Sequence, residues 1–281
     1  GTRNLVEVQF KRFNIDYTFT DDIDLKFFES AIKKNTKVIY IETPSNPLLK
    51  IVDIEKIAQF AKSKNITTII DNTFATPIIQ KPILFGVDVV LHSATKYFGG
   101  HSDISAGAVA ASQAHIDKIW NLAKNLGGNL SDYSVWLLER SMKTLSIRVK
   151  AQQKNAKRLA KYLSESRFVK KVYYPGLKNH PNHNLAKKQM KGFGAMISFE
   201  FIDKIDPSLF LTSLNLIKPS MSLAGVESTM LSPAETSHYL LTEKERLSQG
   251  ITNELIRFSV GIENKKDIIM DIEHAIKLSI K

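Results

Sequence analysis

The sequence predicts an α/β fold, a mostly parallel sheet with helices on both faces, followed by a smaller α+β domain. Three observations carry this expectation. The chain has 281 residues, about twice the size of one ordinary compact domain, which suits two domains or one large α/β unit. Its composition is 43% hydrophobic and 24% charged, which is globular and excludes disorder, collagen and coiled coil as the main structure. Between residues 25 and 93, strand-length apolar runs alternate with helical periodicity, the pattern of parallel strands joined by right-handed crossovers.

Residues 25–34 read as a short helix. Lys37-Val38-Ile39-Tyr40-Ile41-Glu42 reads as a buried strand, stopped by the breaker cluster Thr43-Pro44-Ser45-Asn46-Pro47. A second helix follows, with Asp53 as N-cap, Ile54, Ile57, Ala58 and Ala61 on one face, and Asn65 at the exit. The β-branched run Thr67-Thr68-Ile69-Ile70 ends at Asp71, and Val87–His92 ends at Ser93. From Ala108 onward the pattern turns helical: residues 114–125, 131–141 and a long helix over 144–166. Beyond it come a strand at Val169–Tyr174, a loop with Pro175-Gly176 and Pro181, a strand at Ala195–Phe201, and a closing strand–helix pair from Arg257 to Lys281. The expected division is a large domain, residues 1–147, and a small C-terminal domain, residues 148–281.

Several function classes drop out. The chain has no cysteine, which removes disulfides, thiolate metal sites and cysteine nucleophiles and fits a reducing, cytoplasmic setting. No apolar run reaches the roughly 18 residues needed to span a bilayer, so no membrane partner is expected. The first residues lack a signal peptide's apolar stretch and an initiator Met, and the expectation is a chain that begins partway. Net charge is +11, and residues 148–191 hold thirteen Lys and Arg against Glu165 alone. Base-stacking aromatics are sparse there, so this run reads as a solvated helix face and not as an RNA-binding one. His180-Pro181-Asn182-His183 lies in a Pro/Asn loop with no acidic neighbour, and no metal is expected. His92 reads as a satisfied core residue. The Gly-x-Ser-x-Gly, P-loop and Gly-x-Gly-x-x-Gly signals of hydrolases, NTPases and dinucleotide enzymes are absent.

Ligands of open α/β sheets sit at the carboxyl ends of parallel strands. Three strand ends here are polar: Glu42 with Asn46, Asp71-Asn72-Thr73, and Ser93-Ala94-Thr95-Lys96. A lysine shielded from water at a strand exit becomes a usable amine nucleophile, able to form a Schiff base with an aldehyde. A carboxylate at the neighbouring strand end keeps a heteroaromatic nitrogen protonated, and paired hydroxyls bind a phosphate. Together these describe a pyridoxal phosphate site.

The segments Tyr40–Pro47, Asp71–Pro77 and His92–Asp103 closely resemble the cysteine/methionine-metabolism family of pyridoxal phosphate enzymes, the family of cystathionine γ-synthase, the cystathionine γ- and β-lyases, methionine γ-lyase and the O-acyl-homoserine sulfhydrylases. The likeness continues through Ser222–Ser228, Pro233, Ser237-His238 and Leu255–Gly261. It implies a fold-type I pyridoxal phosphate enzyme. Lys96 is then the residue bonded to the cofactor, Asp71 the partner of its ring nitrogen, and Ser93 with Thr95 the phosphate holders. Arg257, helped by Ser222 and Asn46, clamps the carboxylate of a small amino-acid substrate, since a planar guanidinium matches a carboxylate bidentately. The chemistry implied is elimination or replacement at Cγ, and the assembly a homotetramer made of dimers.

Two departures from the family pattern bear on function. The pattern enters at Gly1-Thr2, just after a Tyr-Gly whose Tyr stacks on the cofactor, so the chain resembles an N-terminally incomplete copy. Members that process cystathionine often carry Glu before the serine matching Ser222, where this chain has Met221. An apolar side chain cannot pair with an ammonium group, which leans toward methionine, homocysteine or an acylated homoserine. Against methionine γ-lyase, its reactive cysteine falls at Gly1. From another class, an inactive fragment or pseudoenzyme serving as an assembly partner is the rival reading.

Overall fold

The computed structural model describes residues 1–20, 22–239 and 241–281. Helix α1, Leu25–Ala31, precedes strand β1, Val38–Glu42; helix α2, Ile54–Ser63, then leads to β2, Thr67–Asp71, and the chain returns to β3, Val89–Ser93. These strands pair in parallel in the order β1-β2-β3, with Glu42 level with Asp71 and Asp71 level with Leu91. Their carboxyl ends therefore open onto one rim.

The local reasons are those read from the sequence. The Asp53 carboxylate accepts from the Lys56 N–H, capping α2, and Asn65 takes a left-handed conformation (φ 55°) just past its end. Ile54, Ile57, Ala58 and Ala61 bury against Ile39, Ile41, Ile70 and Val90. Burying each large aliphatic side chain contributes about 1.5–3 kcal/mol. The opposite face, with Val38, Tyr40, Glu42 and Asp71, is half-buried or exposed.

One element departs from expectation. Gly107–Ala111 is strand β4, antiparallel to β3, where the sequence reads as turning helical from Ala108. Gly-Ala-Val-Ala-Ala has little intrinsic strand preference, and pairing with the free edge of β3 overrides it. The helices α3, Gln113–Leu126, and α4, Asp132–Met142, follow as read.

Helix α5, Leu145–Glu165, opens the second half. Strand β5, Val169–Tyr173, follows, and then α6, His183–Gln189, in a stretch read as loop. The remaining strands are β6, Met196–Phe201, β7, Lys218–Pro219, β8, Thr229–Leu231, and β9, Leu255–Ser259, with α7, Lys265–Leu278, closing the chain. The second sheet runs β5-β6-β9-β8-β7, antiparallel except between β7 and β8. Strands of two and three residues carry no periodicity, which is why β7 and β8 escape a reading by pattern. One apolar core joins the halves: Leu145 and Val149 of α5 belong to the same cluster as Ala94, Tyr97 and Phe98 after β3 and as Ile197, Phe199 and Phe258 of the second sheet.

His92 is buried as expected but is not satisfied, because its Nδ1 has no hydrogen-bond partner among the described residues while its ring stacks on Phe98 at 4.7 Å. Burial pushes this imidazole, and that of the buried His180, from the usual value down to about 4. A depressed histidine stabilises fully above its unfolded pKa, and that contribution is lost as pH falls from about 6.5 toward 4, by about 3 kcal/mol per group at most. Urea midpoints of wild type and His92→Phe, at pH 7 and at pH 4.5, check this: the variant loses less on acidification. Equal losses in the two proteins refute it.

Candidate active site

The chain leaves β3 in a tight turn. Lys96 N–H donates to the Ser93 carbonyl at 3.0 Å, Gly99 N–H to Ala94 at 2.8 Å, and Gly100 N–H to the Lys96 carbonyl at 2.7 Å. Gly100 sits at φ 71°, and a Cβ there would lie 1.9 Å from Arg148 Nη1, so only glycine fits. The turn carries the half-buried Lys96 to the rim of the first sheet. Burial, and then the charge of Arg257, lower the pKa of its amine below the usual lysine range. The charge of Arg257, 161 positions away in the chain, thus reaches the Lys96 amine.

Arg257 lies in the middle of β9 and is 4% exposed. Its Nη1 donates to Asn46 Oδ1 at 3.4 Å and its Nη2 to the Met221 carbonyl at 3.0 Å. Among the described residues it forms no ion pair with a carboxylate. Burial pushes its guanidinium down to about 10. A cation held this way, without a counterion, is costly unless an anion is delivered to it. Asn46 is fixed in turn by Glu42, whose carboxylate accepts the Asn46 N–H at 3.0 Å.

Asp71 ends β2, and one of its oxygens accepts the Thr73 N–H at 2.9 Å, a turn that holds the carboxylate at the strand end. Its charge acts on Glu42 and His92. Ser93 donates its backbone N–H to Thr73 Oγ1 at 2.8 Å, and its own hydroxyl has no partner among the described residues. Thr95, the other expected phosphate holder, ties the lysine turn to the chain before β4: its hydroxyl donates to the Ala106 carbonyl at 3.2 Å and accepts the Ala106 N–H at 2.9 Å. Ser222 Oγ lies 3.4 Å from Ser102 Oγ, and Ser102 also donates to Glu227 at 2.6 Å. The Met221 side chain is 61% exposed.

The reading of a solvated basic helix missed Arg148 and Gln152, which are buried. They share the face of Leu145, Val149, Ala156 and Leu159, and that helical spacing is the signal that marks them as inward-facing. The donor set suits pyridoxal phosphate: an amine with a weakened hold on its proton, a strand-end carboxylate, a free hydroxyl and a cation for the substrate.

Comparison with known proteins places these features in a lineage. Residues 1–277 match the family described as Cys/Met metabolism PLP-dependent enzyme. The cystathionine beta-lyase of Lactococcus lactis subsp. cremoris (strain MG1363) is 44% identical over 278 residues, 99% of this chain and 73% of its own. The L-methionine gamma-lyase of Fusobacterium nucleatum subsp. polymorphum is 44% identical over 270 residues, 95% of this chain and 68% of its own. A crystal structure of cystathionine gamma-lyase from Lactobacillus plantarum complexed with L-serine superposes with a TM-score of 0.96 at 43% identity, covering 99% of this chain and 73% of that one. With so much shared over nearly every residue, the chain belongs to the pyridoxal-phosphate-dependent enzymes of cysteine and methionine metabolism.

Proposed function

We propose that the chain serves elimination or replacement at Cγ of sulfur-containing or O-acylated amino acids, the chemistry of a cystathionine γ-synthase or γ-lyase. The observation that carries this reading is the buried Arg257, which has no carboxylate partner among the described residues and whose charge acts on the half-buried Lys96. Arg257, with Asn46 and Ser222 nearby, holds the α-carboxylate and turns the amino acid so that its Cα–H bond faces Lys96. Lys96 would be the residue that holds the cofactor's aldehyde carbon, and its amine is the base on this chain that would take the proton from Cα and move protons at Cα and Cβ. Asp71 would keep the ring nitrogen protonated, and Ser93 with Thr95 would hold the phosphate. Bound pyridoxal phosphate supplies an electron sink that stabilises negative charge at Cα.

Met221 favours methionine, homocysteine or an acylated homoserine over cystathionine, because its exposed thioether offers nothing to a distal ammonium group. Incubation with cystathionine, methionine, homocysteine, or O-succinylhomoserine plus cysteine, following release of keto acid, thiol or thioether, tests the reading. Failure of all four refutes the Cγ chemistry. Met221→Glu is expected to raise the ratio of kcat/KM for cystathionine over methionine about tenfold, through one new charge-assisted contact. An unchanged ratio removes Met221 from the specificity argument. We further propose a cytoplasmic homotetramer, to be checked by sedimentation equilibrium.

A further inference from the structure

The residues that hold Lys96 and Arg257 at their spacing lie on neither of the segments that carry them. Arg148, Gln152 and Asn155 fall at i, i+4 and i+7 on one face of α5 and climb about 10 Å along it. Arg148 donates Nη1 to the Tyr97 carbonyl at 2.7 Å and Nη2 to the Phe98 carbonyl at 3.2 Å, the two peptides that follow Lys96. It spends its other donors on the Ser141 carbonyl and the Thr144 hydroxyl, and among the described residues it has no carboxylate partner. Gln152 donates to the Gly225 carbonyl at 2.6 Å, in the loop that begins at Ser222. Asn155 donates to the carbonyls of Gly261 at 3.2 Å and Glu263 at 2.8 Å, in the loop that leaves β9 after Arg257.

These three loops also bond to one another. Val226 N–H donates to the Gly100 carbonyl at 3.0 Å, and Ile262 N–H donates to the Val226 carbonyl at 2.8 Å. The lysine turn, the Ser222 loop and the segment beyond Arg257 thus form a backbone ladder, and one helix face holds a rung of each. A buried guanidinium or amide makes such bonds directional as well as stabilising, since each carbonyl it leaves would otherwise be unpaired.

We propose that Arg148, Gln152 and Asn155 are positioning residues that set the distance between the amine of Lys96 and the guanidinium of Arg257. The two ends of the stripe then govern different steps. Arg148 orients Lys96, so its loss acts on proton movement and lowers kcat. Gln152 and Asn155 orient the carboxylate clamp, so their loss weakens ground state and transition state alike and raises KM. This inference rests on the assignment of Lys96 and Arg257 to the site, and the test separates the two.

Hydrogen exchange of the chain without cofactor comes first. In Gln152→Leu the amides of Val226 and Ile262 are expected to exchange about tenfold faster, the loss of roughly one hydrogen bond, while amides in β1 and β2 keep their protection. With pyridoxal phosphate added, the yellow band persists in this variant, but L-norleucine, an unreactive amino acid detected through that band, binds about tenfold more weakly. Arg148→Lys leaves norleucine binding near wild type and lowers kcat, and it recovers part of what Arg148→Met loses. Lys154→Ala, on the exposed face of the same helix, changes neither. Should Gln152→Leu fail to fold, Asn155→Ala is measured in the same two ways. Local exchange and norleucine affinity both at wild-type values, or a uniform loss of protection with affinity unchanged, overturn the proposal. A yellow band that survives Lys96→Ala refutes the site assignment instead, and the exchange result still stands on its own.

Discussion

Lys96→Ala is expected to abolish the yellow band that pyridoxal phosphate forms with the protein and to lower turnover by about four orders of magnitude, the upper range for a positioned proton-transfer group. Lys96 sits on the turn after β3 with an amine weakened by burial and by the charge of Arg257. Lys96→Arg behaves as Ala does, since a guanidinium stays protonated and cannot bond an aldehyde. Absorbance titration with the cofactor, followed by steady-state assay, checks both variants. A band of wild-type strength in Lys96→Ala moves the cofactor elsewhere and ends the assignment.

Arg257→Leu separates function from stability. The proposed carboxylate clamp goes, and kcat/KM is expected to fall by about two to three orders of magnitude, the worth of a bidentate charge-assisted pair. The fold, however, gains or stays level. The guanidinium is 4% exposed, has no acid partner among the described residues and is pushed down to about 10 by burial. That shift corresponds to about 3 kcal/mol of unfavourable charge burial, which a leucine does not carry. The unpaired Asn46 and Met221 oxygens offset part of the gain. Removing the guanidinium also raises the pKa of the Lys96 amine, because its charge is one cause of the depression, so the yellow band should require higher pH to develop. A urea melt and a pH titration of the band read the two effects. A variant that is both less stable and unchanged in the pH dependence of its band contradicts the geometry.

The strand ends were legible because their chemistry is local. Asp71 and Ser93 each terminate a β-branched run, and Lys96 follows Ser93 within a turn's length, so pattern alone brings them to one rim. Arg257 was reachable only through resemblance, as no periodicity links it to residue 96. Two readings differ from the structure, each for its own physical reason. Gly107–Ala111 carries small residues whose strand state comes entirely from the neighbouring edge of β3. Arg148 was counted with the exposed lysines of its helix, although 148 falls on the apolar face and 150 and 154 do not.

Composition, alternation and capping are properties of short stretches, and they were enough to specify the α/β class, the parallel strands and the chemical type of each rim residue. The reach of the Arg257 charge to Lys96 and the particular carbonyls that Arg148 and Gln152 bond depend on which distant segments come within range. A hydrogen bond demands its partner within about 3 Å, and the bonds of Arg148 to Tyr97 and of Gln152 to Gly225, 51 and 73 positions away, arise only when the whole chain has closed on its core.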